Sequence, residues 1–217
     1  FSCRLKLTGL AGPESFGSAH RSAEAKPGQG GYDIGRGGQS KQRGSIVRYR
    51  KLGNTGLEVS EIAFGGGNNG GILFHPPPAV RLQAVRHALE LGINWFDTAP
   101  AYGDGQSEEN LGWALRELGA QAHVSTKVSI PPQEMDDVKG AALRSAERSL
   151  ARLGRSSVDV LQIHHPITLQ RGTRRNSLSV EDVLGPGGVL EALQELRTQG
   201  HVRFFGFTGL GETEAIH

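Results

Sequence analysis

The chain has 217 residues, 36% of them hydrophobic, with a formal net charge of +2, which is enough for one domain of ordinary size. The charge is uneven: residues 1–44 carry seven Lys/Arg against three Asp/Glu, and the remainder 17 against 19. No basic and aromatic residues interleave, which argues against a nucleic-acid partner. Cys3 is the single cysteine, so no internal disulfide can form. No apolar run approaches the roughly 18–20 residues a bilayer span needs. These features suit a cytoplasmic protein with no membrane partner.

Residues 1–44 hold ten glycines among scattered Ser, Lys and Arg, without an apolar period. Such a composition buries too little surface to offset its ordering entropy. A disordered segment is expected there, either native or an artefact of upstream translation, followed by one folded domain over 45–217. The opening FSCRLKLTGLAG lacks a continuous apolar stretch and fails as a signal peptide. Gly28, Gly30 and Gly31 make no phosphate loop, because no strand precedes them and no helix follows. The chain opens on Phe1 rather than Met and closes at Ile216-His217 in what reads as a helix start, so both ends read as truncations.

SIVRYRKLG and LEVSEIAF flank Asn54-Thr55-Gly56 and predict a hairpin running into a first barrel strand near Val59 to Phe64. Gly65-Gly66-Gly67 ends that strand, on a face where backbone can approach a ligand closely. Val80, Ala84, Val85, Ala88 and Leu89 have helical spacing and predict a helix over 79–91. A strand follows at 94–96. Ser107 is the expected N-cap of the next helix, with Glu108 and Glu109 suited to the positive end of its dipole. Further strands are expected at 124–127, 158–163 and 203–207, and helices at 136–153, at 188–199 and after Gly211. The stretch 167–188 reads as a long solvated loop carrying Arg171, Arg174 and Arg175.

Alternating strand and helix means a parallel sheet with right-handed crossovers. The expected fold is therefore α/β, a (β/α)8 TIM barrel represented by five βα units and an N-terminal hairpin. A complete barrel takes about 250 residues. Five strands alone leave two open edges, so the chain by itself is expected to be inactive and poorly soluble. The run GGGNNG after the first strand has the letters of GxGxxG but no helix opens directly on it, and no GxxxxGK[ST] occurs, so a doubly wound nucleotide-binding fold has no support.

Three strand-like runs each end in a polar residue: Asp97, Lys127 and His164. In a (β/α) barrel the carboxyl ends of all strands open onto one face, where catalysis sits. Tyr102, five residues past Asp97, would stand on the loop above. A phenol is a poor acid near neutral pH, but an ammonium about 4 Å away supplies about 4 kcal/mol at an effective dielectric near 20. Lys127 would thus help Tyr102 release a proton, Asp97 would hold Lys127 and offset its burial, and His164 would orient a substrate oxygen. Such a site suits carbonyl reduction if something supplies hydride. His165 reads as a neighbour of the site rather than a second catalyst. No metal site is expected, since His164-His165 and His123 lack a helical HxxxH or HExxH arrangement.

The strings YRKLGNTGLEVSEIAFGGG, GINWFDTAPAYGDGQSEENLGWALREL, VSTKV, ERSLARLGRSSVDVLQIHHP and LQELRTQGHVRFFGFTGL occur in this order over about residues 48–217. Together they resemble the aldo-keto reductase superfamily. The resemblance implies that Asp97, Tyr102, Lys127 and His164 form a catalytic tetrad. It also implies hydride transfer between NADPH or NADH and an aldehyde or ketone, or the reverse reaction on an alcohol. Gly66, Asp97, Thr208 and Gly209 are the cofactor-binding positions it implies. Many relatives have Ser-Asn where this chain has Thr208-Gly209, a form similar to sugar-dehydrogenase-like members, which points to a sugar substrate and to NAD. The alternatives left open are a non-catalytic relative that binds cofactor for regulation, and an inactive fragment. Oligomeric state is not legible.

Overall fold

The computed structural model describes residues 47–217; the segment expected to be disordered, and the expected domain start at Ser45, lie outside the described residues. The hairpin forms from β1 (Tyr49–Lys51) and β2 (Glu58–Ser60), paired antiparallel. Its turn closes through Thr55, whose hydroxyl donates to the Leu52 carbonyl (2.5 Å) and accepts from the Leu57 N–H (3.2 Å).

The apolar alternation over 59–64 predicts one strand, but the structure breaks it in two. Ser60 donates its hydroxyl to the Ile62 carbonyl (2.7 Å) and its N–H to the Asn94 side chain (2.7 Å). These local bonds compete with the strand ladder and turn the chain. The first strand of the main sheet, β3 (Phe64–Gly65), is consequently short.

Four further strands follow in that sheet: β4 (Trp95–Asp97), β5 (His123–Val128), β6 (Val158–Ile163) and β9 (Val202–Phe207). The order β3-β4-β5-β6-β9 is parallel throughout. The crossovers carry α1 (Pro78–Glu90), α2 (Gln106–Glu117), α3 (Val138–Leu153) and α5 (Val189–Thr198). Phe96, Val124, Val128, Leu161 and Ile163 pack with these helices in the main core. Each such side chain contributes about 1.5–3 kcal/mol when fully buried. The opposite face carries Trp95, Val160 and Phe204, which cluster with Leu52, Leu57 and Val59 of the hairpin. The hairpin thereby covers the amino ends of the strands.

Two further expectations change. Ser107 is not an N-cap: Gly105, at φ 89°, takes that position without a side-chain bond. Ser107 lies one residue inside α2, where its hydroxyl donates to the Gly66 carbonyl (2.9 Å) and pairs with the Thr98 hydroxyl (2.8 Å). Glu108 is fully buried and accepts from the Thr126 hydroxyl (2.5 Å) and Arg152 Nε (2.6 Å). Nor is 167–188 a plain loop. β7 (Ile167–Thr168) pairs in parallel with β8 (Leu178–Ser179), and α4 (Val180–Leu184) follows behind a Ser179/Asp182 capping box. Within it Arg171 is ion-paired with Asp182. The last described element, α6 (Thr213–Ile216), agrees with the helix expected after Gly211.

Candidate active site

Strand alternation puts Asp97, Ser125 and Lys127 on the side of the sheet that faces away from the helices. The register pairs Asp97 with Ser125 and Lys127 with Gln162. Lys127 is 4% exposed. A buried ammonium is costly unless its hydrogens are engaged, and two acceptors meet this one: Asp97 Oδ2 at 2.7 Å and the Thr98 carbonyl at 2.8 Å. Asp97 in turn accepts the Ser125 hydroxyl on Oδ1 at 2.7 Å. The carboxylate is therefore fixed at both oxygens and the lysine at two of its three hydrogens.

Tyr102 enters from the loop after β4, which tightens through Gly103 and Gly105 at φ 58° and 89°. Lys127 Nζ lies 4.9 Å from the centroid of the Tyr102 ring. The His164 ring stands edge-on to it, with centroids 5.7 Å apart at 90°. Gly67 backs the same ring: a Cβ there would lie 3.6 Å from Tyr102 Cζ. Burial and the nearby Lys127 ammonium push the His164 imidazole down to about 4, against the opposing pull of Asp97. It is thus neutral at pH 7 and keeps one N–H donor and one acceptor nitrogen.

Asp97 in β4, Tyr102 in the loop after it, Lys127 in β5 and His164 just past β6 are brought together at one end of the sheet. The remaining expected positions are less open. Gly66 donates its N–H to the Asp97 carbonyl (2.8 Å), and a Cβ on it would come within 2.5 Å of the Ser107 hydroxyl. Its lack of a side chain serves packing against α2. Thr208 directs both its N–H (3.1 Å) and its hydroxyl (3.2 Å) at the Ile163 carbonyl, and Gly209 follows at φ 66°. Sequence reasoning missed Ser125 and Thr98, while Gly67, read there as part of a glycine run open to a ligand, instead backs the Tyr102 ring. The signal for Ser125 was its place two residues before Lys127, hence on the same face; Thr98 acts through its carbonyl and left none. Among the described residues no group of three or more His, Cys, Asp or Glu is placed to hold a metal ion, and no helix is long and apolar enough to cross a membrane.

The model of the aldo/keto reductase family matches residues 61–216, and the chain belongs to that family. It is similar to L-galactose dehydrogenase of Arabidopsis thaliana, at 34% identity over 167 residues, covering 76% of this chain and 49% of the relative. It is similar also to the aldo-keto reductase YhdN of Bacillus subtilis, at 30% identity over 167 residues, 74% of this chain and 46% of that protein. The holo form of an aldo-keto reductase from Bacillus halodurans shares the fold with a TM-score of 0.58 at 28% identity, over 74% of this chain and 50% of that one. The chain spans about half the length of the curated relatives it matches. Its five parallel strands and their helices correspond to part of such a barrel.

Proposed function

We propose that this site reduces an aldehyde or ketone to an alcohol, or oxidises a sugar alcohol in reverse, with a nicotinamide cofactor as redox partner. The observation that carries the reading is the buried Lys127 ammonium, held by Asp97 and Thr98 beside the Tyr102 ring. Tyr102, with this ammonium fixed 4.9 Å from its ring centroid, gives its proton to the substrate oxygen. The neutral His164 donates a hydrogen bond to that oxygen and sets its direction. Asp97 holds the ammonium, and Ser125 holds Asp97. Protein-fixed charge of this kind costs no reorganisation at the moment of reaction.

The residues fit a flat dihydronicotinamide. Gly65 pairs in register with Asp97 and has open space where a Cβ would stand. The Thr208 hydroxyl, with its hydrogen on Ile163, keeps lone pairs for a carboxamide donor. NADPH or NADH supplies the hydride when bound. The likeness to L-galactose dehydrogenase and the Thr208-Gly209 pair favour a sugar substrate and NAD. Oxidation of NADPH and NADH by this site within a complete barrel, measured with a panel of aldehydes and sugars alongside Tyr102→Phe, tests the reading; the five units alone are expected to turn over neither. Turnover that is abolished by Tyr102→Phe is expected. Turnover that survives it, or no turnover with either cofactor across the panel, sinks it.

A further inference from the structure

His165 follows the proton-site imidazole directly in sequence, yet its side chain makes all its bonds elsewhere. It is 6% exposed. Nε2 accepts the Ile130 N–H at 2.8 Å, and Nδ1 bonds the Asn176 carbonyl at 2.7 Å. We propose that His165 is a positioning residue. It joins the ends of the strands carrying Lys127 and His164 to the arginine-bearing loop, and so sets where His164 stands. The inference rests on the reading of those two residues as the acid–base site.

Three observations support it. The backbone bonding between β5 and β6 runs out at the His164 N–H, which reaches the Val128 carbonyl at 3.3 Å. Two residues past Val128, the Ile130 N–H lies inside the protein, with Ile130 1% exposed. A buried donor needs a partner, and the imidazole takes the place of the missing rung. On the other side, Asn176 stands at φ 56°, in the left-handed region, and its carbonyl meets Nδ1. The loop around it is ordered through the Ser177 hydroxyl, which accepts from the Thr168 hydroxyl (3.0 Å) and the Gly172 N–H (3.0 Å).

The two bonds also fix the tautomer. A carbonyl can only accept and an N–H can only donate, so the proton sits on Nδ1 and the lone pair on Nε2. Burial holds this ring below the usual imidazole range, with the bond to Asn176 opposing. The ring thus stays neutral, as its bond from Ile130 requires. A phenyl or alkyl group could fill the same space but could not carry either bond.

The test follows the titration of His164 by NMR in the whole chain, its signal assigned by loss in His164→Gln, together with amide exchange at Ile130 and Asn176. In His165→Leu the His164 midpoint, about 4 in the parent, rises by about one unit or more as the ring gains solvent; His165→Gln removes the direct lowering by the His165 ring just as leucine does, and so separates that effect from a change of position. Exchange at Ile130 accelerates. His165→Gln, whose amide oxygen can accept from Ile130, restores protection there and most of the shift. A folded His165→Leu chain whose His164 midpoint stays unmoved overturns the proposal, whatever its melting temperature. If His165→Leu does not fold, His165→Gln and His165→Asn each keep one bond. A partial shift in either supports the proposal, and none in both overturns it. None of these readings uses turnover, so absence of reductase activity would count against the proposed reaction and leave the positioning role standing.

Discussion

The two ends of the same strands carry two charge clusters of similar composition and different character. At the carboxyl end stand Lys127, Asp97, Tyr102 and His164. At the amino end Asp159 accepts from the buried Val124 N–H (3.0 Å), Arg203 (2.7 Å) and His123 (3.1 Å). Burial alone would raise the Asp159 carboxyl, but the bonds from Val124, His123 and Arg203 outweigh it and hold it below the usual range. Each Asp159 oxygen is engaged within the protein, and the cluster ties β5, β6 and β9 together. At the other end the Tyr102 hydroxyl and the His164 ring have no protein partner among the described hydrogen bonds, while Asp97 and Ser125 are engaged in holding Lys127. Charge and burial do not separate the two ends; hydrogen-bonding capacity left facing outward does.

That contrast can be broken from either side. The largest expected effect is on rate: under the proposed reaction, Lys127→Met in a complete barrel lowers turnover by roughly 10²–10⁴-fold, the usual contribution of an acid–base group. Steady-state kinetics check it. Asp159→Ala should do the opposite, leaving turnover per folded molecule unchanged. It strands the Val124 N–H, at a cost of about 1–3 kcal/mol, read by urea unfolding. Gly103→Ala costs about as much, because the residue sits at φ 58° and a Cβ would lie 2.7 Å from the Phe74 ring. Since Gly103 adjoins Tyr102, turnover falls with it.

A smaller effect is on the pH dependence of stability. His164 is lowered from 6.5 to about 4 on folding. Between those values the unfolded chain binds the proton and the native chain does not, so stability falls as pH drops through this window. His164→Gln flattens the stability profile there. Asp159, depressed on folding, gives stability that is present above the unfolded carboxyl value of about 3.9 and is lost as pH falls through its folded value. Asp159→Asn removes that more acidic limb. Smallest of all is Arg203→Ala: its side chain is 53% exposed, and such pairs contribute about 0–1 kcal/mol. An Arg203→Ala loss well above that would show that the amino-end cluster is more tightly coupled than its exposure suggests.

Much of the site was legible because strands have a period of two and barrel strands point one way. A polar residue at the end of an apolar run marks the open face, which is how Asp97, Lys127 and His164 were found. Hidden from the sequence were bonds through backbone atoms and buried polar side chains. Thr98 acts through a carbonyl that any residue would offer. Ser107 and Glu108 look like helix-start residues by local rules, and in isolation they would be. Packing of α2 on the sheet and α3 instead turns Ser107 towards Gly66 and Glu108 towards Thr126 and Arg152. Ser60 and Asn94, 34 residues apart, divide what the apolar pattern joins.

Sequence by itself determined the alternation of strand and helix, the parallel sheet and the choice of four polar residues, because periodicity and chain direction are local properties. Only the tertiary structure decided which polar groups are engaged within the protein and which stay available. Hydrogen-bond partners are met across long separations in the chain, and burial is what makes leaving one unmet costly.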